Sequence, residues 1–384
     1  MEEFMNLTAE QRTEMVRKAI LCQQPERVPV VCKAEPSYAI QFAGYDLKEA
    51  LWKPELIVDA TDKMYSEIYC DAGGNMPRFP LIYKTNGSRA YVPRELDDFV
   101  QHPEVEGLMI DEYDEYIADP FKCIVETVIP RLYPKLAGPE GNLNMLRTMI
   151  ADNQVKGKYL AGCAQVEKKH GIINIRRGAI EAPFDFVADL LRGFTGISMD
   201  VRRSAGKVQA AVEATLPLMY RLAKILNPVP ATVPSMFIPL HMPSYMRTKD
   251  FEKLYWPTFK KMVCDLIDDG YTHQIFFEKN WERYYDYLQE LPTGVIAYFE
   301  EDDLGVAKEK LGKKLCLMGN YPVTMLRLNT KQQCIDKAKE IVDKAAPGGG
   351  YLFCMDKSIL SLSDAKPENL IAVSEFVHEY GVYR

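Results

Sequence analysis

The sequence predicts an α/β fold, a (β/α)8 barrel carrying an N-terminal extension, and three observations lead to it. From Gly171 onward, short apolar runs of strand length alternate with amphipathic runs of helix length. In the closing stretch, Gly319-Asn320-Tyr321-Pro322, Gly348-Gly349-Gly350 and Lys366-Pro367 stand where a strand must turn into a helix or a helix must stop. The 384 residues also exceed a bare barrel of about 250 by enough for an extension and insertions.

Taken in order, Leu7 to Gln23 reads as a helix, with Thr8 as N-cap and Met15, Ala19 and Ile20 on one face. Residues 1–26 therefore form a helical extension. Val28 to Val31 is the first buried strand, and a helix follows from Lys53 to Ile68 with Leu56, Ile57, Ala60 and Met64 aligned. Residues 71–93, rich in Gly, Pro and Asn, read as an excursion above the barrel, and residues 137–170 as a second one. Ile172 to Ile175 is strand, Phe184 to Leu191 helix and Ala205 to Leu226 a long amphipathic helix. Then come strand Ser235 to Pro239, helix Phe251 to Asp269, strand Ile275 to Phe277, helix Glu282 to Glu290 and strand Val295 to Phe299. No fixed-period repeat, low-complexity stretch or linker interrupts this series, which gives one domain over 1–384.

A net charge of −7 without long like-charge blocks argues against a nucleic-acid or anionic-membrane surface. The nine cysteines are scattered without zinc-ribbon spacing, no signal peptide is evident, and no apolar run approaches the ~20 residues of a membrane span. Reduced thiols in a cytoplasmic protein are the expectation.

In a parallel barrel, chemistry gathers where strands end. That rule selects His241 after Ser235 to Pro239, Glu278 after Ile275 to Phe277, and the acids Glu300 to Asp303 after Val295 to Phe299. Asn320 follows Leu317-Met318 and Cys354 follows Tyr351 to Phe353. Each also has a plain structural reading: Glu278 as a helix-start charge, two of the four acids as the beginning of the next helix, Cys354 as a small hydrophobe. His273 lies at the opposite end of its strand and reads as structural, and His102, His170 and His378 read likewise. No phosphate loop or nucleophile elbow occurs.

Ala182-Pro183-Phe184-Asp185, Gly319-Asn320-Tyr321-Pro322, Gly350-Tyr351, Pro367-Glu368-Asn369 and His378-Glu379-Tyr380-Gly381 together resemble the uroporphyrinogen decarboxylase superfamily, from Arg27 to Gly381. The resemblance implies a barrel of the uroporphyrinogen decarboxylase type and offers two chemistries. Porphyrinogen decarboxylases carry Arg and Asp after the first strand. Here that segment is Val31-Cys32-Lys33-Ala34-Glu35-Pro36-Ser37-Tyr38, with one Lys and no Arg, too few cations for a substrate with many carboxylates.

The other branch is similar to corrinoid-dependent methyltransferases, many of which hold zinc with a His-X-Cys pair and a distant Cys. The corresponding positions here read Phe276 and Glu278, with Lys357 near the distant site and Cys354 three residues before it. The resemblance thus implies a methyltransferase moving a methyl group from a small O-methyl or N-methyl substrate to Co(I) of a separate corrinoid protein, a demethylase of the methyl-ether type. His241 and Glu278 are the expected catalytic residues. Zinc is the expected cofactor, held by His241, Glu278 and Cys354. Tyr38, Met242, Tyr245, Phe277, Trp281 and Asn320 are the expected substrate-binding residues for an aromatic methyl donor, with packing as the competing role for the aromatics and loop fixation for Asn320. Face-to-face pairing of barrels, a habit of this superfamily, implies a homodimer. Two rivals stay open: a decarboxylase or lyase of a small acid with Lys33, Arg78 or Arg89 as clamps, and a non-catalytic binding member.

Overall fold

In the computed structural model, which describes residues 7–93 and 99–383, eight parallel chain segments close a (β/α)8 barrel. Residues 28–31 take the first position through single parallel bridges, Val30 to Phe353 on one side and Val31 to Ala72 on the other. β1 (Ala72–Gly73) pairs with β2 (Ile173–Asn174), which runs on through β3 (Arg176–Ala179) to fill the third position. β4 (Ser235–Leu240), β5 (His273–Phe277), β6 (Val295–Phe299), β7 (Cys316–Tyr321) and β8 (Tyr351–Met355) follow in sequence order.

The period-two alternation of a strand divides each segment between two cores. Ile173, Ile175, Ile296, Tyr298, Met318, Leu352 and Cys354 fill the barrel, with Phe237 and Phe276 packed against them. Met236, Ile238, Ile275, Phe277, Ala297 and Phe299 point the other way, into the layer beneath the outer helices. The helix Ala9–Ile20 begins with a Thr8/Gln11 capping box and adds Val16, Ala19 and Ile20 to the inner core, so the extension plugs the floor of the barrel. Residues 1–6 of the expected extension lie outside the described residues.

Two glycines are required by close approach. A Cβ on Gly319 (φ 103°) would lie 2.6 Å from the Phe299 carbonyl oxygen, and one on Gly349 (φ 79°) 2.5 Å from the Gln24 backbone.

Two of the expected boundaries change. The expected excursion at 71–93 contains β1, a barrel strand that two residues cannot announce by pattern. The expected excursion at 137–170 is a 30-residue helix, Gly141–His170, packed on the helix Pro54–Glu67. Leu143, Leu146, Met149, Ile150 and Leu160 are exposed along it, so its apolar residues mark no single face. All nine cysteines are free, and no helix among the described residues is long and apolar enough to cross a membrane.

Candidate active site at the barrel mouth

His241 follows β4 at inward parity, two residues beyond Pro239 and four beyond Phe237, and Glu278 bears the same relation to Phe276 on β5. The strand-end expectation therefore places both in one cleft of about 550 Å³, and His241 Nε2 lies 3.4 Å from Glu278 Oε1. Asp189 accepts from His241 Nδ1 at 2.5 Å. It is carried by a π-helical stretch, Phe186–Arg192, a widened turn of the kind that often re-aims a side chain at a functional site. Glu181, two residues past β3, completes the group. Among the described residues, one set of possible metal-ligating atoms converges within 4.8 Å, and it consists of Glu181, Asp189 and His241.

Beneath them, Asp185 is wholly buried. Its Oδ1 accepts from the Met242 backbone N–H at 3.0 Å, and its Oδ2 accepts from the Tyr255 hydroxyl at 2.5 Å and from the His241 N–H at 3.4 Å. One carboxyl group thus pins the backbone that presents the imidazole.

The charges are mutually dependent. Burial works against a charged His241, but the Asp189 hydrogen bond and the carboxyls of Asp185, Asp189 and Glu278 outweigh it and push the imidazole up to about 10. Burial lifts Glu181 to about 8, opposed by His241 and reinforced by the neighbouring acids; the Glu181 Oε2 is buried without a hydrogen-bond partner. Burial also raises Asp185 to about 7, with Asp189 adding to it. Glu278 is raised as well, by burial first, with His241 opposing. Four carboxyl groups around one imidazole make a site that favours a cation or a retained proton.

The remaining expected residues fall elsewhere. Phe277 and Trp281 are fully buried in the outer layer, because Phe277 has the parity opposite to Glu278 and Trp281 packs on it edge-on with ring centroids 4.7 Å apart. Tyr38 is fully buried in the same layer. Met242 and Tyr245 line a separate small pocket of about 170 Å³, and exposed Tyr245 meets Phe194 edge-on at 5.2 Å on the rim. Asn320 donates from Nδ2 to the Asp302 carbonyl oxygen at 2.6 Å, which fixes the loop after β6. Cys354 lies in the barrel interior beside Tyr298 and Lys33, where burial pushes the thiol up to about 12; it is not part of the converging set.

The acids at 300–303 are also committed. Glu300 and Glu301 pair with Lys279 and Lys357, Asp302 accepts from the Trp281 N–H and the Tyr285 hydroxyl, and Asp303 caps the helix Leu304–Leu311.

Sequence reasoning missed Glu181, Asp189 and the inward Arg176. The third strand reads as ending at Ile175, which puts Arg176 at a strand end as Glu278 is and leaves Glu181 six residues beyond it. His102, read as structural, lines the cleft and stacks on Tyr91 at 4.5 Å.

The family model described as uroporphyrinogen decarboxylase (URO-D) matches residues 111–380. The chain belongs to this family. Its match spans the helical segment after residue 110 and every barrel strand from β2 to β8, so the cleft's His241, Glu181, Asp189 and Glu278 all lie within the family region. Among solved structures, a methyltransferase from Methanosarcina mazei has the same fold, with a TM-score of 0.66 at 13% identity over 98% of this chain and 99% of that one. No curated protein matches the sequence.

Proposed function

We propose that this member of the family is a methyltransferase that removes a methyl group from a small O-methyl or N-methyl compound and passes it to Co(I) of a separate corrinoid protein. The convergence of Glu181, Asp189 and His241 at the open end of the barrel carries the reading. The relative from Methanosarcina mazei supports its reaction class.

For a methyl ether, the C–O bond breaks as the Co–C bond forms, and the leaving oxygen must take a proton or be neutralised in another way. His241, held protonated by the acids around it, is the proton donor. Asp189 fixes the ring through Nδ1, Asp185 fixes the backbone that carries it, and Glu278 faces Nε2.

The same residues fit zinc as the alternative to that proton, since an imidazole nitrogen that binds a metal cannot carry a proton as well. Imidazole nitrogen and carboxylate oxygen are both zinc ligands, three of them leave a fourth position open, and Glu181 offers a buried oxygen with no partner. Glu181, Asp189 and His241 would hold the ion, in place of the expected combination with Cys354. Zinc bound there would supply Lewis-acid polarisation of the ether oxygen. The corrinoid protein would dock over the mouth, where Phe194 and Tyr245 are exposed.

The test pairs two measurements on wild type, His241→Ala and Glu181→Gln. The first is methylcobalamin formation from an aryl methyl ether and cob(I)alamin, followed by absorbance. The second is metal content by mass spectrometry. We expect methyl transfer in wild type and a loss of at least 100-fold in His241→Ala. About one zinc per chain, lost in both variants, would support the metal site. Carbon dioxide release from a small acid without methyl transfer would replace this reading with decarboxylation.

A further inference from the structure

The opposite side of the cleft carries the reverse charge. Lys33 follows the first barrel position, and Arg176 begins β3; both line the adjoining part of the mouth, a cavity of about 600 Å³, together with Arg78. Lys33 is only 7% exposed. Among the described residues, neither Lys33 nor Arg176 uses its side chain in a hydrogen bond or an ion pair. Their contacts are to rings instead. The Arg176 guanidinium lies 4.1 Å from the Phe237 centroid, and the Lys33 ammonium lies 5.4 Å from Phe237 and 5.5 Å from Tyr298.

A desolvated cation gains something from an aromatic face, but far less than from a hydrogen-bonded anion. Among the described residues the other buried cations have such partners, Arg12 and Arg27 with Asp71 and Arg192 with Asp200. Buried Lys33 and half-buried Arg176 have none among these residues, and they line a cavity. Burial lowers the hold of both on their protons. The Tyr298 hydroxyl in the same wall is buried without a hydrogen-bond partner.

Among the described residues, the one acid lining this part of the cavity is Glu35, whose Oε1 accepts from Ser358 Oγ at 2.8 Å. Glu35 offsets one of the three charges of Lys33, Arg78 and Arg176, so this pole keeps a positive excess that suits an anion. Between the two poles the floor is aromatic: Phe276 and Tyr298 lie 4.5 Å apart with Phe237 beside them. Phe237, Phe276 and Arg176 also line the part of the cleft that holds His241, so one ligand can span both poles.

We propose that Lys33 and Arg176 form a carboxylate-binding subsite, and that the ligand of this cleft is an aromatic carboxylate lying over Phe237 and Phe276. Its substituent at the far end reaches His241. The assignment of that substituent as the methyl group rests on the function proposed above. The planar fork of Arg176 suits the two carboxylate oxygens, and Lys33 adds a point charge.

The experiment uses the purified full chain with 4-methoxybenzoate and its neutral counterpart 4-methoxybenzamide. Isothermal titration calorimetry compares wild type, Lys33→Met and Arg176→Gln, with circular dichroism to establish that each variant is folded. We expect wild type to bind the carboxylate at least tenfold more tightly than the amide, and each folded variant to lose at least tenfold for the carboxylate alone. Equal affinity for the two compounds, carboxylate binding indifferent to a folded variant, or no saturable carboxylate binding by wild type would overturn the subsite. Demethylation of the amide as fast as the carboxylate would do the same while leaving methyl transfer standing. Tight, variant-sensitive carboxylate binding with no methyl transfer to cob(I)alamin would keep the subsite and remove the reaction.

Discussion

His273 starts β5 with its ring wholly buried against the helix Trp256–Asp268, and burial pushes its pKa down to about 4. An unfolded chain protonates the same ring near pH 6.5. Above that pH the native state loses nothing; below it the unfolded state takes up a proton that the native state refuses. The stability carried by neutral His273 is therefore complete above pH 6.5 and falls as the pH drops toward 4. His378, pushed down to about 4 by burial and by Arg27, has the same sign, so His273 must be isolated by difference. Urea unfolding of wild type and His273→Leu at pH 7 and pH 5 does this. We expect wild type to lose roughly 2 kcal/mol more than the variant over that interval. Single residues also show where sequence reading stops. Strand-end position was enough to bring His241 and Glu278 together at the barrel mouth. It could not reveal that Glu181 and Asp189 converge on His241, because that depends on how far β3 runs and on a widened helical turn.

Strands and helices were legible in proportion to how cleanly their period shows. The alternation of β5 and β6 and the long amphipathic helix Ala205–Leu226 emerge at or within two residues of their expected bounds. The helix Gly141–His170 did not, since its apolar residues are spread around the axis and many remain exposed. A one-residue question of parity separates Phe276 from Phe277. Phe276 lines the cleft, whereas Phe277 packs between Trp281 and Phe299 in the outer layer. Phe277→Ala should therefore cost about 3–5 kcal/mol of stability, as a cavity in a closed core. Phe276→Ala should cost less and weaken 4-methoxybenzoate binding instead. Chemical unfolding and calorimetry on both variants check this; equal destabilisation with unchanged binding would mean that Phe276 serves packing alone.

At the scale of the whole barrel, the order of the strands sorts charge around the mouth. Lys33, Arg78 and Arg176 come from the first three positions, and Glu181, Asp189, His241 and Glu278 from the third to the fifth. The closed barrel itself was legible because seven apolar segments, all but the two-residue β1, must share one interior. Its sidedness was not, because it needs the third position to contribute to both poles. The closure has one further consequence. β4, β5 and β6 are joined by continuous five-pair ladders, whereas the first position is joined to its neighbours by single bridges: Val31 donates to Phe353 and Phe353 to Pro29 on one side, and Cys32 donates to Ala72 and both Asp71 and Ala72 to Val30 on the other. Local opening should begin where the fewest cooperative bonds must break. Deuterium uptake followed by mass spectrometry should find peptides spanning 28–34 labelled well before those spanning 273–299, and uniform uptake would mean that the cylinder opens as a single unit. Lys33 hangs from this seam. A ligand gripping it would act as a latch, slowing isotope exchange in a segment far along the chain from the imidazole.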